Sequence, residues 1–177
     1  MSPASFNNPS DGGLLSRPTV VLSPSEKADL LDESPWAGEF SYAHIEKLAN
    51  CMDVYEVPAE TVLFNEGDRN PYFVLILKGQ VDVAKLDAGG HSRRIATLGP
   101  GKTIGDMIII DGEPRSASAR TRGPAMLMVM TGKRFEQLVE QNPRVAMILL
   151  FRIARLLSQH LRKTSGRLLD HLGQEDS

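Results

Sequence analysis

The pattern of apolar and polar positions changes twice along the chain and divides it into three parts. Residues 1–35 are rich in Pro, Ser and Gly and show no sustained apolar period, so we predict a mostly disordered leader. From Trp36 to Met52 apolar residues recur at helical spacing, which indicates one amphipathic helix. We expect this helix to open a domain over residues 36–141, followed by a helical segment over residues 142–172.

Between that first helix and residue 130 the pattern consists of short runs separated by turn residues. The runs are MDVYEV, TVLF, YFVLILK, QVDVAKL, RRIATL, SASART and AMLMVM. Seven or eight short strands at intervals of about 8–12 residues, with glycine at most corners, are typical of a small sandwich or jelly-roll barrel. We therefore predict a mainly β domain with flanking helices.

The last part of the chain is predicted to be helical. Residues 131–141 have the pattern of one short helix, and Asn142-Pro143 begins another, because proline is favoured in the first turn of a helix. The second helix can run toward Leu172, but a glycine in a helix interior costs about 1 kcal/mol. We expect the helix to end or fray at Gly166.

This last helix carries apolar residues on two faces. One face is traced by Val145, Ile148, Leu149, Arg152 and Leu156. The other follows alternating steps of three and four residues, a heptad-like seam formed by Ala146, Leu150, Ile153, Leu157, His160, Thr164 and Leu168. One face can lie on the barrel while the seam meets a second copy, so we expect a homodimer.

Composition and charge are those of a soluble globular protein. The 177 residues suffice for one domain with a core; 41% are hydrophobic and 24% are charged. The formal net charge of −2 gives no general attraction to nucleic acid or to an anionic membrane. With no secretory signal pattern and no run of about 18 apolar residues, we expect a cytoplasmic protein without a membrane span.

Cysteine and histidine usage favours neither a disulfide framework nor metal chemistry. Cys51 is the single cysteine, and we interpret it as a buried core thiol in a reducing compartment. The four histidines lack metal-ligand spacing from one another, so we expect no metal site. No nucleophile–base pair is evident either, and an enzyme is not expected.

Residues 96–119 contain two competing candidates for a phosphate site. The first half ends in Gly101-Lys102-Thr103, as a P-loop does, but Ala96 stands where the first glycine of that motif is required. Turn residues follow too soon for the long helix that a P-loop needs. We therefore interpret this half as a corner between strands.

The second half suits a smaller phosphate ligand. Gly105 and one helical turn from Asp106 to Ile109 would aim unpaired backbone N–H groups at one point. Arg115 would bring a planar fork of donors that matches a phosphate, and Ser116 would add a hydroxyl. Asp106 would repel a phosphate, so we expect it to accept a hydrogen bond from a sugar hydroxyl. Together these groups describe a site for a compact ribose phosphate without a catalytic group.

The sequence resembles the cyclic nucleotide-binding domain family, as found in catabolite activator proteins, kinase regulatory subunits and gated channels. The resemblance covers roughly residues 38–172 and includes VPAETVLFNEGD, FVLILKGQVDV, GPGKTIGDM and DGEPRSASA in the same order. It implies a cyclic nucleotide-binding β-roll, a double-stranded β-helix or jelly roll, with an N-terminal helix and a C-terminal helix pair. It also implies that the last helix caps the ligand and forms the dimer.

The resemblance assigns roles to residues of the second half, which we call the cassette (residues 105–116). Gly105 matches the turn glycine, Arg115 the arginine on the cyclic phosphate, and Ser116 the small or hydroxyl residue beside it. Asp106 stands where the family has a glutamate on the ribose 2′-hydroxyl. The backbone amides of Met107 and Ile108 would also face the phosphate.

Two residues depart from the family pattern. Asp106 is one methylene shorter than glutamate, so its carboxylate can fall ~1.5 Å short of the hydroxyl, and the lost bond would cost roughly 1–3 kcal/mol. Ile108 replaces a usually small residue and can crowd the pocket. On the same alignment His160 lies near the adenine-contacting stretch; its alternative role is a solvent-exposed or seam histidine.

We expect a receptor for a cyclic nucleotide, with cAMP favoured over cGMP and a cyclic dinucleotide still open. The chain ends shortly after Leu172 without a helix-turn-helix, so we expect no DNA binding. We also expect no membrane partner. A protein partner is expected, but the sequence does not identify it. Two alternatives remain. Arg115 can pair with Asp106 or Glu113 in a purely structural loop, or the whole fold can be a dimeric interaction module that binds no nucleotide.

Overall fold

The computed structural model describes residues 13–17 and 19–175, with side chains as far as residue 166. Its α-helices within these ranges are α1 (Pro24–Asp32), α2 (Tyr42–Asn50), α3 (Met107–Asp111), α4 (Gly132–Gln141) and α5 (Pro143–Glu175). Two short 3-10 helices accompany them, at Leu14–Ser16 and Pro35–Glu39.

The described strands form two four-stranded antiparallel sheets. They are β1 (Asp53–Val57), β2 (Val62–Phe64), β3 (Tyr72–Lys78), β4 (Val81–Leu86), β5 (Ser92–Leu98), β6 (Thr103–Ile104), β7 (Ser118–Thr121) and β8 (Ala125–Thr131). One sheet has the order β1-β8-β3-β6 and the other β2-β7-β4-β5. The predicted mainly β fold with helices at both ends is confirmed, and the short β6 was not among the predicted runs.

Two buried cores explain why β3 is apolar from Tyr72 to Leu77. Tyr72, Val74 and Ile76 belong to a cluster that draws side chains from both sheets, here called the inter-sheet core. Phe73 and Leu75 point the other way, into a cluster shared with α1, α2, α4 and α5, here called the helix core. Successive side chains of a strand point to opposite faces, so a strand covered on both sides needs apolar residues at every position.

The predicted disordered leader is wrong for residues 13–17 and 19–35; residues 1–12 and 18 lie outside the described part. α1 begins at a capping box, in which the Ser23 Oγ accepts from the Glu26 N–H at 3.3 Å and the Ser23 N–H donates to Glu26 Oε2 at 2.7 Å. Ala28 and Leu31 are fully buried in the helix core. The Ser-Pro pair that suggested disorder is a helix start, because Ser caps and Pro fits the first turn.

The single helix predicted over residues 36–52 is also wrong. The chain forms the 3-10 helix Pro35–Glu39, becomes extended at Phe40 and Ser41, and then enters α2. Trp36 stacks on Phe40 with ring centroids 5.1 Å apart, so the break is filled by aromatic packing.

The two C-terminal helices form where the sequence predicts them. α5 begins at Pro143 and continues through Gly166 to Glu175, so the predicted end at this glycine is wrong. A cost of about 1 kcal/mol is not enough to stop a helix flanked by good helix formers.

The division of α5 into two faces needs correction as well. The stripe of α5 that is buried in the helix core takes residues from both predicted faces. It consists of Val145, Ala146, Leu149 and Ile153. Ala146 and Ile153 therefore do not belong to an outward seam. The exposed apolar side chains lie on the opposite arc, where Met147, Phe151 and Leu161 are 53%, 66% and 67% exposed.

Candidate functional site

The cassette begins with a backbone turn that accepts only glycine. Gly105 follows β6 with φ of +74°, a left-handed conformation that side chains disfavour. A Cβ placed there would lie 2.2 Å from Nη1 of Arg115. α3 follows at Met107–Asp111, somewhat later than the predicted turn, and ends at Gly112, whose N–H donates to the Ile108 carbonyl at 3.1 Å.

Arg115 is buried beneath this turn and is bound by main-chain carbonyls. Its side chain is only 5% exposed. Nη1 donates to the Gly105 carbonyl at 2.8 Å, and Nη2 donates to the carbonyls of Asn70 and Tyr72 at 3.0 and 2.6 Å. Its Nε–H is also buried and has no hydrogen-bond partner among the described residues. The guanidinium thus ties the cassette turn to the start of β3.

Two aromatic rings hold the guanidinium from its sides. Its central carbon lies 4.0 Å from the ring centroid of Phe64 and 4.5 Å from that of Tyr72, and these two rings meet edge to face. Cation–π contacts gain strength when they are desolvated. The two rings therefore help to hold the guanidinium of Arg115 in place between the sheets.

Burial shifts the titration of this cluster. Desolvation lowers the pKa of Arg115, while the nearby Tyr72 and Asp68 act in the opposite direction. Desolvation also raises the pKa of Tyr72 to about 12, and the neighbouring guanidinium opposes this shift. The Tyr72 hydroxyl donates to the Leu63 carbonyl, which links the clamp to β2.

Asp106 is buried next to the turn and already accepts a hydrogen bond. Its Oδ2 accepts from the Thr103 hydroxyl at 3.1 Å, and the residue is 8% exposed. Among the described residues, neither Asp106 nor Glu113 forms the predicted alternative pair with Arg115, whose hydrogen bonds go to carbonyls. The pairing that the structural alternative predicted is therefore not found among the described residues, and Arg115 instead donates to main-chain carbonyls.

The remaining cassette residues differ in exposure. Ser116 is exposed, and its Oγ lies 4.0 Å from Sδ of Met107, which is 45% exposed. Ile108 is 4% exposed, so its branched side chain is directed into the protein. The structure thus brings together the predicted residues Gly105 to Ile108 with Arg115 and Ser116.

His160 does not join the other predicted site residues. It lies exposed on α5, and its carbonyl accepts from the Thr164 hydroxyl at 3.0 Å. α5 packs mainly on α4 and α2 rather than on the cassette. The predicted adenine contact of His160 stays a prediction.

Sequence reasoning missed the groups that hold Arg115 and Asp106. Thr103 and Asp106 have the spacing of a hydroxyl–carboxylate capping pair, a local signal that could have been used. Phe64 and Tyr72 carry no such signal, because their contact with Arg115 depends on the pairing of β2 with β7 across more than fifty residues.

The described part of the chain lacks two kinds of feature. It contains no group of His, Cys, Asp and Glu side chains placed to bind a metal ion. Its helices also lack an apolar stretch long enough to cross a bilayer.

Comparison with known proteins identifies this arrangement. The family described as cyclic nucleotide-binding domain matches residues 54–142, which run from β1 to the end of α4 and include the whole cassette. The chain belongs to the cyclic nucleotide-binding domain family. The resemblance inferred from the sequence motifs is confirmed.

Several members of the cyclic nucleotide-binding domain family are similar over most of this chain. A solved cyclic nucleotide-binding domain from Methylobacillus flagellatus is 32% identical, covers 82% of each chain and has a TM-score of 0.72. The cAMP-activated global transcriptional regulator CRP of Haemophilus influenzae is 29% identical over 72% of this chain, and the cyclic AMP receptor protein of Thermus thermophilus is 31% identical over 63%. This chain spans 57% and 50% of those two proteins.

Proposed function

We propose that this protein is a regulatory receptor that binds a cyclic nucleotide, with cAMP favoured over cGMP, and that it acts without catalysis. The buried guanidinium of Arg115 carries the proposal, because its Nε–H has no partner among the described residues while it sits under the cassette turn. A buried unsatisfied donor is costly, and a phosphate oxygen would satisfy it. The names of the similar regulators, which refer to cAMP, support the choice of nucleotide.

The proposed ligand contacts follow from the cassette. The cyclic phosphate would lie against Arg115 and the first amides of α3, at Met107 and Ile108, which as a helix start lack intrahelical acceptors. The exposed Ser116 hydroxyl would add a donor. Asp106 would accept from the ribose with the carboxylate oxygen that Thr103 does not contact.

The proposed signal is a change in the position of α5. Arg152 of this helix lies over the Trp36 ring at 4.9 Å and pairs with Glu39 at 3.1 Å, and Arg155 reaches the same carboxylate at 2.9 Å. These contacts attach α5 to the 3-10 helix Pro35–Glu39 and can be broken and remade as a unit. Ligand binding shifts α5 only if its affinity differs between the two positions.

The outward arc of α5 supports a homodimer. This arc carries apolar residues at steps of three and four, the spacing of a coiled-coil seam. From here on the seam means these residues: Met147, Leu150, Ala154, Leu157 and Leu161. Met147 and Leu161 are more than half exposed, so the seam is open to a second copy. A nucleotide-dependent change in this dimer would be read by a protein partner whose identity the cassette does not specify.

The test is isothermal titration of the protein with cAMP and cGMP. The variants are Ser116→Ala and Arg115→Lys, and Arg122→Ala serves as a control that removes an exposed positive charge just beyond β7. We expect micromolar or tighter binding of cAMP that weakens about tenfold or more in the two cassette variants and is unchanged in the control. Circular dichroism should show that all four proteins are folded.

A second candidate is an interaction module that binds no nucleotide. It is favoured by the carbonyls that already accept from both Nη atoms of Arg115 and by the Thr103 hydroxyl that occupies Asp106. Folded protein that gives no heat with either nucleotide would support this candidate over the receptor.

A further inference from the structure

A side chain from the leading part of the chain is buried inside the β-roll. Leu14, in the 3-10 helix Leu14–Ser16, is 0% exposed and belongs to the inter-sheet core together with Phe64. The helix lies against β2. Its neighbour Leu15 is 40% exposed, so one leucine of the pair anchors the turn and the other faces outward.

The turn that carries Leu14 is closed locally and tethered to the domain. The Ser16 Oγ and N–H both donate to the Gly13 carbonyl, at 2.7 and 2.9 Å. Further along, the Val20 N–H donates to the Val54 carbonyl at 2.8 Å, and α1 then packs in the helix core. Residues Gly13–Arg17, here called the Leu14 segment, are therefore held close to the β-roll by a short connection, which gives them a high effective concentration at their docking site.

Leu14 is buried in the same cluster as a residue that contacts the cassette. Phe64 packs in the same cluster as Leu14, and its ring lies 4.0 Å below the guanidinium of Arg115. The same ring comes within 3.2 Å of a Cβ placed on Gly105. A nucleotide whose phosphate reached Arg115 would come close to the Phe64 ring, and apolar walls that exclude water are where a ligand gains affinity.

We propose that the Leu14 segment is a built-in competitor of the nucleotide. With Leu14 docked, the space beside Phe64 is filled by a leucine side chain; with a nucleotide bound, the segment is displaced and released. This inference rests on the proposed receptor function. Ligand affinity is then reduced by the fraction of molecules in which the site is open, so weakening the docked state tightens apparent binding.

The first test compares two neighbouring leucines in the full chain. Leu14→Ala removes most of the buried anchor, whereas Leu15→Ala removes a similar side chain that is 40% exposed. We expect cAMP to bind Leu14→Ala about tenfold or more tightly than it binds the wild type, and Leu15→Ala to match the wild type.

The second test follows the segment itself. Leu14→Cys and Leu15→Cys, each with Cys51→Ser to remove the native thiol, are reacted with a thiol reagent with and without saturating cAMP. We expect slow labelling at position 14 without cAMP and several-fold faster labelling with it, and fast labelling at position 15 in both conditions.

The outcomes separate this inference from the receptor function. Equal cAMP affinity in wild type, Leu14→Ala and Leu15→Ala would overturn the competition and leave the receptor intact. Fast labelling at position 14 without cAMP would overturn the docked state. Absence of cAMP binding in every folded variant would overturn the receptor function, and the competition with it.

Discussion

Two separate features disfavour any side chain at Gly105: its left-handed backbone and the guanidinium of Arg115. The positive φ alone disfavours alanine, and the guanidinium lies where a Cβ would be. Gly112, at the other end of α3, also has a positive φ of +69° but has nothing within 4 Å of an added Cβ. An alanine at Gly112 therefore tests backbone strain alone, whereas an alanine at Gly105 tests backbone strain together with crowding by Arg115.

We predict that Gly112→Ala lowers the free energy of unfolding by about 1–2 kcal/mol, the cost of a left-handed alanine. Gly105→Ala should cost roughly 2–3 kcal/mol more, because Arg115 must leave one or more of its carbonyl acceptors in a buried site. Urea unfolding of the two variants and the wild type measures the difference. Equal losses would show that Arg115 is not held as described.

Tyr72 should make the protein less stable as the pH rises above 10. Its pKa is raised to about 12 in the folded state, so the neutral phenol is favoured by folding. This contribution is complete below the ordinary pKa of about 10 and is lost as the pH rises toward 12.

We predict that the wild type loses about 1 kcal/mol relative to Tyr72→Phe between pH 9 and pH 11, because the variant has no phenol to ionise. Urea midpoints of both proteins at several pH values check this. Parallel pH curves for the two proteins would contradict the assigned burial of the hydroxyl.

At the scale of elements, a side-chain cap marks the start of α1 but not the start of α2. Ser23 accepts the N–H of Glu26 at the start of α1, whereas Ser41, at the same position of α2, makes no side-chain capping hydrogen bond. The two serines form a matched pair at two helix starts.

We predict that Ser23→Ala lowers the free energy of unfolding by about 1 kcal/mol, the usual value of a lost N-cap. Ser41→Ala should change it by less than about half of that amount. Chemical denaturation followed by circular dichroism gives both values. A loss at Ser23 no larger than the loss at Ser41 would mean that the cap of α1 contributes little to holding this helix.

At the scale of the whole molecule, α5 packs on the domain with one arc and leaves the other arc open to the second copy that we propose. One arc of the helix is buried in the helix core through Leu149 and Ile153, and the opposite arc exposes Phe151 and Leu161. Because the two arcs do not overlap, a charge on the outer arc should break the proposed dimer without unfolding the domain.

We predict that Leu161→Glu makes the protein monomeric at micromolar concentration, while Gln159→Glu, which adds the same charge off the seam, leaves it dimeric. Light scattering after size-exclusion chromatography measures the mass of each protein. A monomeric wild type, or a dimeric Leu161→Glu, would exclude the seam as the interface.

The sequence by itself determined the features that depend on neighbouring residues. The strand runs and their glycine corners, the start of α5 at Pro143, and the spacing of Gly105 from Arg115 were all readable because period, proline geometry and turn glycines act locally. By themselves these features indicate a small β sandwich or jelly roll, and the resemblance of the motifs that contain them to a known family identifies the cyclic nucleotide-binding fold. The helix start at Ser23 was equally local and was missed because the surrounding Pro and Ser were interpreted as disorder.

Only the tertiary structure decided which groups meet across the fold. Arg115 is clamped by Phe64 and Tyr72 because β2 pairs with β7 and β3 lies beside the cassette turn. The buried arc of α5 and the docking of Leu14 likewise depend on packing between distant segments. Contacts between residues far apart in sequence exist only after strands have paired and cores have closed, and apolar periodicity does not say which partner covers a given face.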